Sequence, residues 1–225
     1  MIHFRLYIVR HGETEWNKSG RIQGHEDVEL NDVGLGQAGM LAQALKDVPF
    51  SKGFTSDLQR ASKTAETILQ HRPDVILERD EALRERYMGE LQGEIGRSKK
   101  PAPSLEMPEA LIQRCQGWYN RSIVGYMMSS IKKGLADGEP QSLLVVSHGG
   151  LISTLLRSLV VGKAINCAQG LSIGNYLNTG VSIIDYTVVT EGKVKYLVGT
   201  MIKYSDTAHL KDTRRIEVNA DELVG

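Results

Sequence analysis

LYIVRHGETEWN, residues 6–17, leaves a run of core-forming side chains and at once sets an arginine, a histidine and a glycine side by side. Leu6 to Val9 belong to a strand placed at residues 4–9, short and mostly apolar. A second stretch repeats the pattern. SLLVV, residues 142–146, is apolar enough to be buried on both faces, and it runs into Ser147, His148, Gly149 and Gly150. Two strand ends that each deliver His-Gly are harder to dismiss than one histidine after a strand.

The rest of the chain falls into alternating elements around these two. Asn31-Asp32 can cap a helix over residues 33–46, with Leu35, Ala38, Leu41, Ala42 and Leu45 at helical spacing. Residues 53–56 read as a strand, 57–69 as a helix and 75–77 as a third strand. A long helix is expected over 109–133 and another over 151–161. Strands at 181–189 and 193–200 flank a Glu191-Gly192 turn. The polar chain from Ser205 onward is expected on the surface. Such alternation predicts an α/β fold, a three-layer α/β/α sandwich around a mostly parallel sheet, with an antiparallel edge from the closing hairpin. One domain is expected over residues 1–225. A basic, then proline-rich loop at 97–108 lies in a short cap insertion of about residues 94–108, over the site.

The 225 residues carry 27 basic and 27 acidic side chains. That balance offers no nucleic-acid or membrane surface, so a charged ligand must be met by a local cluster. Cys115 and Cys167 lack metal-type spacing and read as thiols in a reducing compartment. No apolar run approaches the ~20 residues of a membrane span. A cytoplasmic protein is expected, nuclear entry being compatible with it. GLGQAG, residues 34–39, matches a dinucleotide-binding glycine pattern but follows an acidic turn instead of a strand. These glycines read as helix-packing positions, and no cofactor is expected.

In open α/β sheets ligands bind at the C-terminal strand ends. Arg10, His11, Arg60, His148 and Glu85, the last between Arg84 and Arg86, are expected to meet there. Arginine matches phosphate oxygens with a planar, permanently charged fork. Backbone N–H groups at helix starts, after Gly12 and after Gly149, would add donors. A neutral imidazole can attack phosphorus, and a carboxyl group can protonate the departing oxygen. Arginines at these ends would repel a metal cation, so the chemistry indicated is phosphoryl transfer without metal. Arg84 and Arg86 read as ion pairs, and Trp16 as a packing residue. His25 is open between a pocket rim and packing. Lys99 and Lys100 read as a solvated loop, the alternative being a contact to a second phosphate.

VRHGETEWN, RIQGHEDVELNDVG, SDLQRASKTAET, LRERYMGELQG, VVSHGG and NTGVSIIDY together resemble the histidine phosphatase, or phosphoglycerate mutase-like, superfamily over most of the chain. The resemblance implies that His11 is the phosphorylated nucleophile and Glu85 the proton donor. It implies a phosphate pocket of Arg10, Arg60 and His148, lined also by Asn17, Gly24 and Gly149. Mutases of the family carry a long basic insertion after the acid motif. Here only a short stretch separates Gly93 from the long helix; RIQGHED also resembles the phosphatase branch, and LRER and SDLQR resemble its fructose-bisphosphatase-like glycolysis regulators and broad-specificity fungal phosphatases. Where many relatives place a GGES-type segment, this chain has PAPSLE, residues 101–106. The expectation is a metal-independent phosphomonoesterase acting on small sugar phosphates or bisphosphates. The alternatives are phosphoglycerate mutase-type transfer and a non-catalytic phosphate-binding module. The expected partner is the small phosphorylated substrate alone; the oligomeric state is open.

Overall fold

The strand that opens the chain, β1 (Phe4–Arg10), alternates its side chains between two cores. Phe4, Leu6 and Ile8 enter one hydrophobic cluster. Tyr7 and Val9 enter another. A strand apolar on both faces needs cover on both, and this one has it. A computed structural model describes residues 1–96, 98–134, 139–210 and 221. After β1 come α1 (Glu15–Lys18), α2 (Asp32–Ala44), β2 (Phe50–Thr55), α3 (Gln59–Ile68), β3 (Leu77–Arg79), α4 (Pro108–Trp118), α5 (Gly125–Lys132), β4 (Gln141–Ser147), α6 (Gly149–Val161), β5 (Ile165–Cys167), β6 (Val181–Glu191) and β7 (Val194–Asp206).

The seven strands form one sheet in the order β3-β2-β4-β1-β6-β7-β5. β1 lies parallel to β4, β4 to β2, and β2 to β3. The closing hairpin pairs antiparallel, as does β6 with β1, while β5 runs parallel to β7. β6 is therefore the strand that runs against the others. Helices α4 to α6 supply one cover layer, with Trp118, Leu151 and Leu155 in its core. Helices α2 and α3 supply the other through Leu41, Ala61, Ala65 and Ile68. The mostly parallel α/β/α sandwich is the architecture expected from the alternation.

Several boundaries differ from the sequence expectation. The long helix over 109–133 is interrupted by a π-helical stretch, Tyr119–Val124, between α4 and α5. The third strand lies at Leu77–Arg79 and not at 75–77. The last strand continues to Asp206. The short elements α1 and β5 carry too few residues to show a period. On α2 the buried face is Gly34, Gln37, Ala38, Leu41 and Ala42, while Leu35 is exposed. The reason is Gly34. A Cβ there would lie 2.1 Å from the Glu13 carbonyl oxygen, and one on Gly12 would lie 2.5 Å from the Gly34 oxygen. The two backbones touch, and this rotates α2 so that its glycine faces inward. Gly34 is thus a packing glycine, whereas added Cβ atoms at Gly36 and Gly39 would meet nothing.

Beyond Ser205 the chain does not simply lie on the surface: Leu210 and Asp221 are both buried. Arg97, at the start of the expected cap loop, lies outside the described residues.

Candidate active site

Strands β1 and β4 are neighbours in register, with Arg10 opposite Ser147. The residues that follow, His11 and His148, are therefore brought together by the sheet itself. Their rings stand 5.2 Å apart, centroid to centroid. Both are buried, as are Arg10, Arg60, Glu85 and Asn17.

The His11 ring is fixed in one tautomer. Nδ1 donates to the Gly12 carbonyl oxygen at 2.6 Å, which leaves Nε2 as the nitrogen with a lone pair. Burial, then the charges of Arg60 and Arg10, hold this imidazole well below its usual pKa. The same causes, burial first and then Arg60, depress His148. Both rings are neutral near pH 7.

The arginines are anchored on one edge and face inward with the other. Arg10 Nη1 donates to the Tyr176 carbonyl at 2.7 Å. Arg60, in the first turn of α3, donates from Nη1 to Glu26 O at 2.7 Å and from Nη2 to Gly24 O at 2.8 Å. Asn17 Oδ1 accepts from Thr14 N and from Asn178 Nδ2, which turns its amide nitrogen away from both. Among the described residues, Arg60 Nε, Asn17 Nδ2, Gln23 Nε2 and both ring nitrogens of His148 are buried without a hydrogen-bond partner. Buried donors left open in this way are rare in folded proteins. Two of the residues concerned, His148 and Arg60, stand beside the neutral His11 imidazole.

Glu85 is held by backbone. Oε1 accepts from Arg86 N and Leu151 N, each at 2.8 Å, and Oε2 accepts from Gly150 N at 2.9 Å. His148, at the N-cap of α6, provides no side-chain cap. Glu85 caps that helix from another segment, where a negative charge is favoured. Behind it, Arg114 donates to the carbonyls of Ala82, Arg84 and Glu85 and pairs with Glu106 at 2.8 Å. His25 Nε2 also donates to the Glu85 carbonyl, at 2.8 Å. Arg84 is spent on Asp57 as an ion pair. Arg86 donates from Nε to the Glu106 carbonyl at 2.8 Å and lines the adjoining pocket.

The backbone donors expected at helix starts are already taken. Gly12 N goes to Thr64 Oγ1, Glu13 N to Gln37 Oε1, and the two N–H groups after Gly149 go to Glu85. The donors that meet an anion are instead Gln23 N and Gly24 N. They bind Asp221 Oδ1 at 2.8 and 3.1 Å. Burial raises the pKa of Asp221, against the pull of the Gly24 N–H and of Arg60. This carboxylate stands on the Gly24 backbone, where the family resemblance implies a phosphate pocket.

Sequence reading missed Asp221, Arg114, Asn178 and Gln23: the first two carry no motif, while Gln23 lies within RIQGHEDVELNDVG and Asn178 within NTGVSIIDY. Trp16 packs against Gly93. Lys99 and Lys100 are exposed, and Lys100 pairs with Glu94 at 3.1 Å. Among the described residues no group of three or more His, Cys, Asp or Glu side chains is placed to hold a metal ion. Nor, among them, is any helix long and apolar enough to cross a membrane.

The sequence model of the histidine phosphatase superfamily (branch 1) matches residues 6–196. The chain is 47% identical to phosphoglycerate mutase-like protein 4 of Arabidopsis thaliana over 222 residues, covering 87% of each protein. It is 30% identical to a metal-independent phosphoserine phosphatase of Arabidopsis thaliana, over 91% of this chain and 82% of that one. Among solved structures, one titled mycobacterial hydrolase 1 superposes with a TM-score of 0.71 at 23% identity, over 91% of this chain and all of the other.

Proposed function

The chain belongs to the histidine phosphatase superfamily, and on that premise we propose that it is a metal-independent phosphomonoesterase working through a phosphohistidine on His11. The observation that carries this reading is the pair of buried imidazoles, His11 and His148, beside the Arg10 and Arg60 charges, with buried donors on Arg60 and Asn17 left open. A phosphate monoester brings several acceptor oxygens, and a dianion there meets Arg10, Arg60, Asn17 and His148 at once. The charge that a metal would otherwise supply comes from the two guanidinium groups.

In the first step His11 Nε2 attacks phosphorus as the bond to the leaving oxygen breaks. Glu85, protonated from solvent before the step, gives that proton to the leaving oxygen, so the alcohol departs neutral. In the second step water attacks the phosphohistidine. Glu85 takes the water's proton, the N–P bond breaks, and inorganic phosphate is released. His148 donates to an equatorial oxygen throughout and stabilises charge in the transition state. Gly24 and Gln23 N–H serve the same phosphate once Asp221 has left them.

Transfer to a second hydroxyl instead of water would make the protein a mutase. The short segment between Gly93 and α4 leaves little structure to hold a second substrate, which favours hydrolysis. The test is release of inorganic phosphate from a panel of sugar phosphates, bisphosphates and amino-acid phosphates, run with and without chelator. Release unchanged by chelator is expected. Loss of release in chelator, restored by a divalent ion, overturns the metal-independent reading.

A further inference from the structure

We propose that the pocket beside Glu85 selects leaving groups that carry a second anionic group, and that Arg157 is the residue that reads it. This rests on the phosphatase reading, because it concerns the leaving-group side of the same site.

The pocket has a volume of about 210 Å³, and Gly150, Ser153, Thr154, Arg157, Arg86 and Asp221 are among its lining residues. Gly150 fixes its inner end. The N–H of that residue holds the Glu85 carboxylate, so the departing oxygen must lie where this pocket begins. Gly150, Ser153, Thr154 and Arg157 then follow at helical spacing on one face of α6. The face runs outward from the proton donor, and Arg157 Cα lies roughly 10 Å along it. An arginine side chain reaches back over part of that length. A leaving group of a few carbon atoms would put its far end under the Arg157 guanidinium.

Charge decides what the far end is. Among the described residues two arginines line the pocket, and Asp221 is the one acidic residue on its wall, bound on the Gln23 and Gly24 side. Arg157 itself makes no hydrogen bond and no ion pair with any described residue, whereas Arg5, Arg72, Arg79, Arg84, Arg114 and Arg121 each pair with a carboxylate. An arginine left over in this way, on the wall of a pocket that starts at the catalytic acid, fits a carboxylate or a phosphate. The lysines of the preceding loop do not compete for this role. Both are exposed, Lys100 is paired with Glu94, and neither lines the pocket.

The test uses three ligands on one three-carbon chain: propanediol monophosphate, 3-phosphonooxypropionate and propanediol bisphosphate. Binding is measured by calorimetry to His11→Ala, which lacks the nucleophile and leaves each ligand intact. The result therefore does not depend on turnover. The proposal expects the two ligands with a second anionic group to bind at least about tenfold more tightly than the neutral-ended one. Adding Arg157→Ala should remove that advantage and leave the monophosphate unchanged. Adding Lys99→Ala and Lys100→Ala instead should preserve it. The carboxylate and bisphosphate arms tell which anion is preferred. Equal binding of all three ligands overturns the proposal, as does an Arg157→Ala loss that falls equally on all three. Wild-type phosphate release from the same compounds is read separately: its absence counts against the phosphatase reading, and the binding comparison still judges this one.

Discussion

Replacing Gly150 with alanine should cut proton donation while leaving the fold intact. Gly150 is the second residue of α6 and has ordinary helical backbone. Alanine favours a helix over glycine by up to about 1 kcal/mol, which offsets the loosening of the Glu85 cap, worth about 0.5–2 kcal/mol, so the variant should melt within a few degrees of the native protein. The added Cβ, however, would lie 2.7 Å from Glu85 Oε1, whereas ordinary contact begins at 3.4 Å. The carboxyl group must retreat by about 0.7 Å, which a flexible side chain does cheaply. The retreat loosens its hydrogen bonds to Gly150 N and Leu151 N. Misplacement of a catalytic group on this scale costs up to about 10²-fold, and general acid help is worth roughly 10²–10⁴-fold in all. An alkyl phosphate, whose leaving group needs the proton, should therefore lose about 10–100-fold in kcat. An aryl phosphate, which departs readily as the phenolate, should lose less than about threefold. Initial rates on both esters, with a thermal melt of the same preparation, decide it. Equal losses on the two esters, or none on the alkyl ester, would refute Glu85 as the proton donor.

The buried imidazoles of His11 and His148 make stability depend on pH. Both are held neutral in the fold, by burial first, while unfolded histidine titrates near about 6.5. Below that pH the unfolded chain binds protons that the native one refuses. Stability is full above pH 6.5 and falls below it, by up to about 1.4 kcal/mol per pH unit for each histidine. Urea melts at pH 7.5 and 5.5 should show this, and His148→Asn should reduce the slope; an identical slope in the variant would contradict it. Asp221→Ala removes a carboxylate from the Gln23 and Gly24 N–H groups that a phosphate needs. KM for substrate and Ki for inorganic phosphate should both drop roughly tenfold, the equivalent of about 1.4 kcal/mol of competing occupancy. Unchanged values would mean that the carboxylate does not compete.

The central architecture was legible because it rests on patterns that survive in one dimension. SLLVV and the residues 4–9 strand are mostly apolar, and each leads into His-Gly, so the sheet that joins them also joins His11 to His148. Glu85 and Arg60 were found through their flanking charges and motif context. What could not be read was whatever depends on partners distant in sequence. Arg114 looks like any surface arginine of an amphipathic helix until its three carbonyl partners are seen. The N–H groups after Gly12 and Gly149 looked open, because nothing local shows that Thr64, Gln37 and Glu85 would take them. Asp221 sits in a polar tail with no periodicity, and its carboxylate gains meaning only from Gln23 and Gly24, about two hundred residues earlier. The turn of α2 that exposes Leu35 follows from a backbone contact between Gly12 and Gly34, which hydrophobic spacing does not encode.

The central claim is that His11 carries the phosphoryl group, and it is tested by finding that group. The enzyme is quenched in alkali during turnover, digested, and its phosphate located by mass spectrometry; alkali is used because phosphohistidine is acid-labile and alkali-stable. The account predicts phosphate on His11 in the native protein, none anywhere in His11→Ala, and label confined to His11 in the slowed His148→Ala variant. Phosphate on His148 or on a serine, with none on His11, would contradict it.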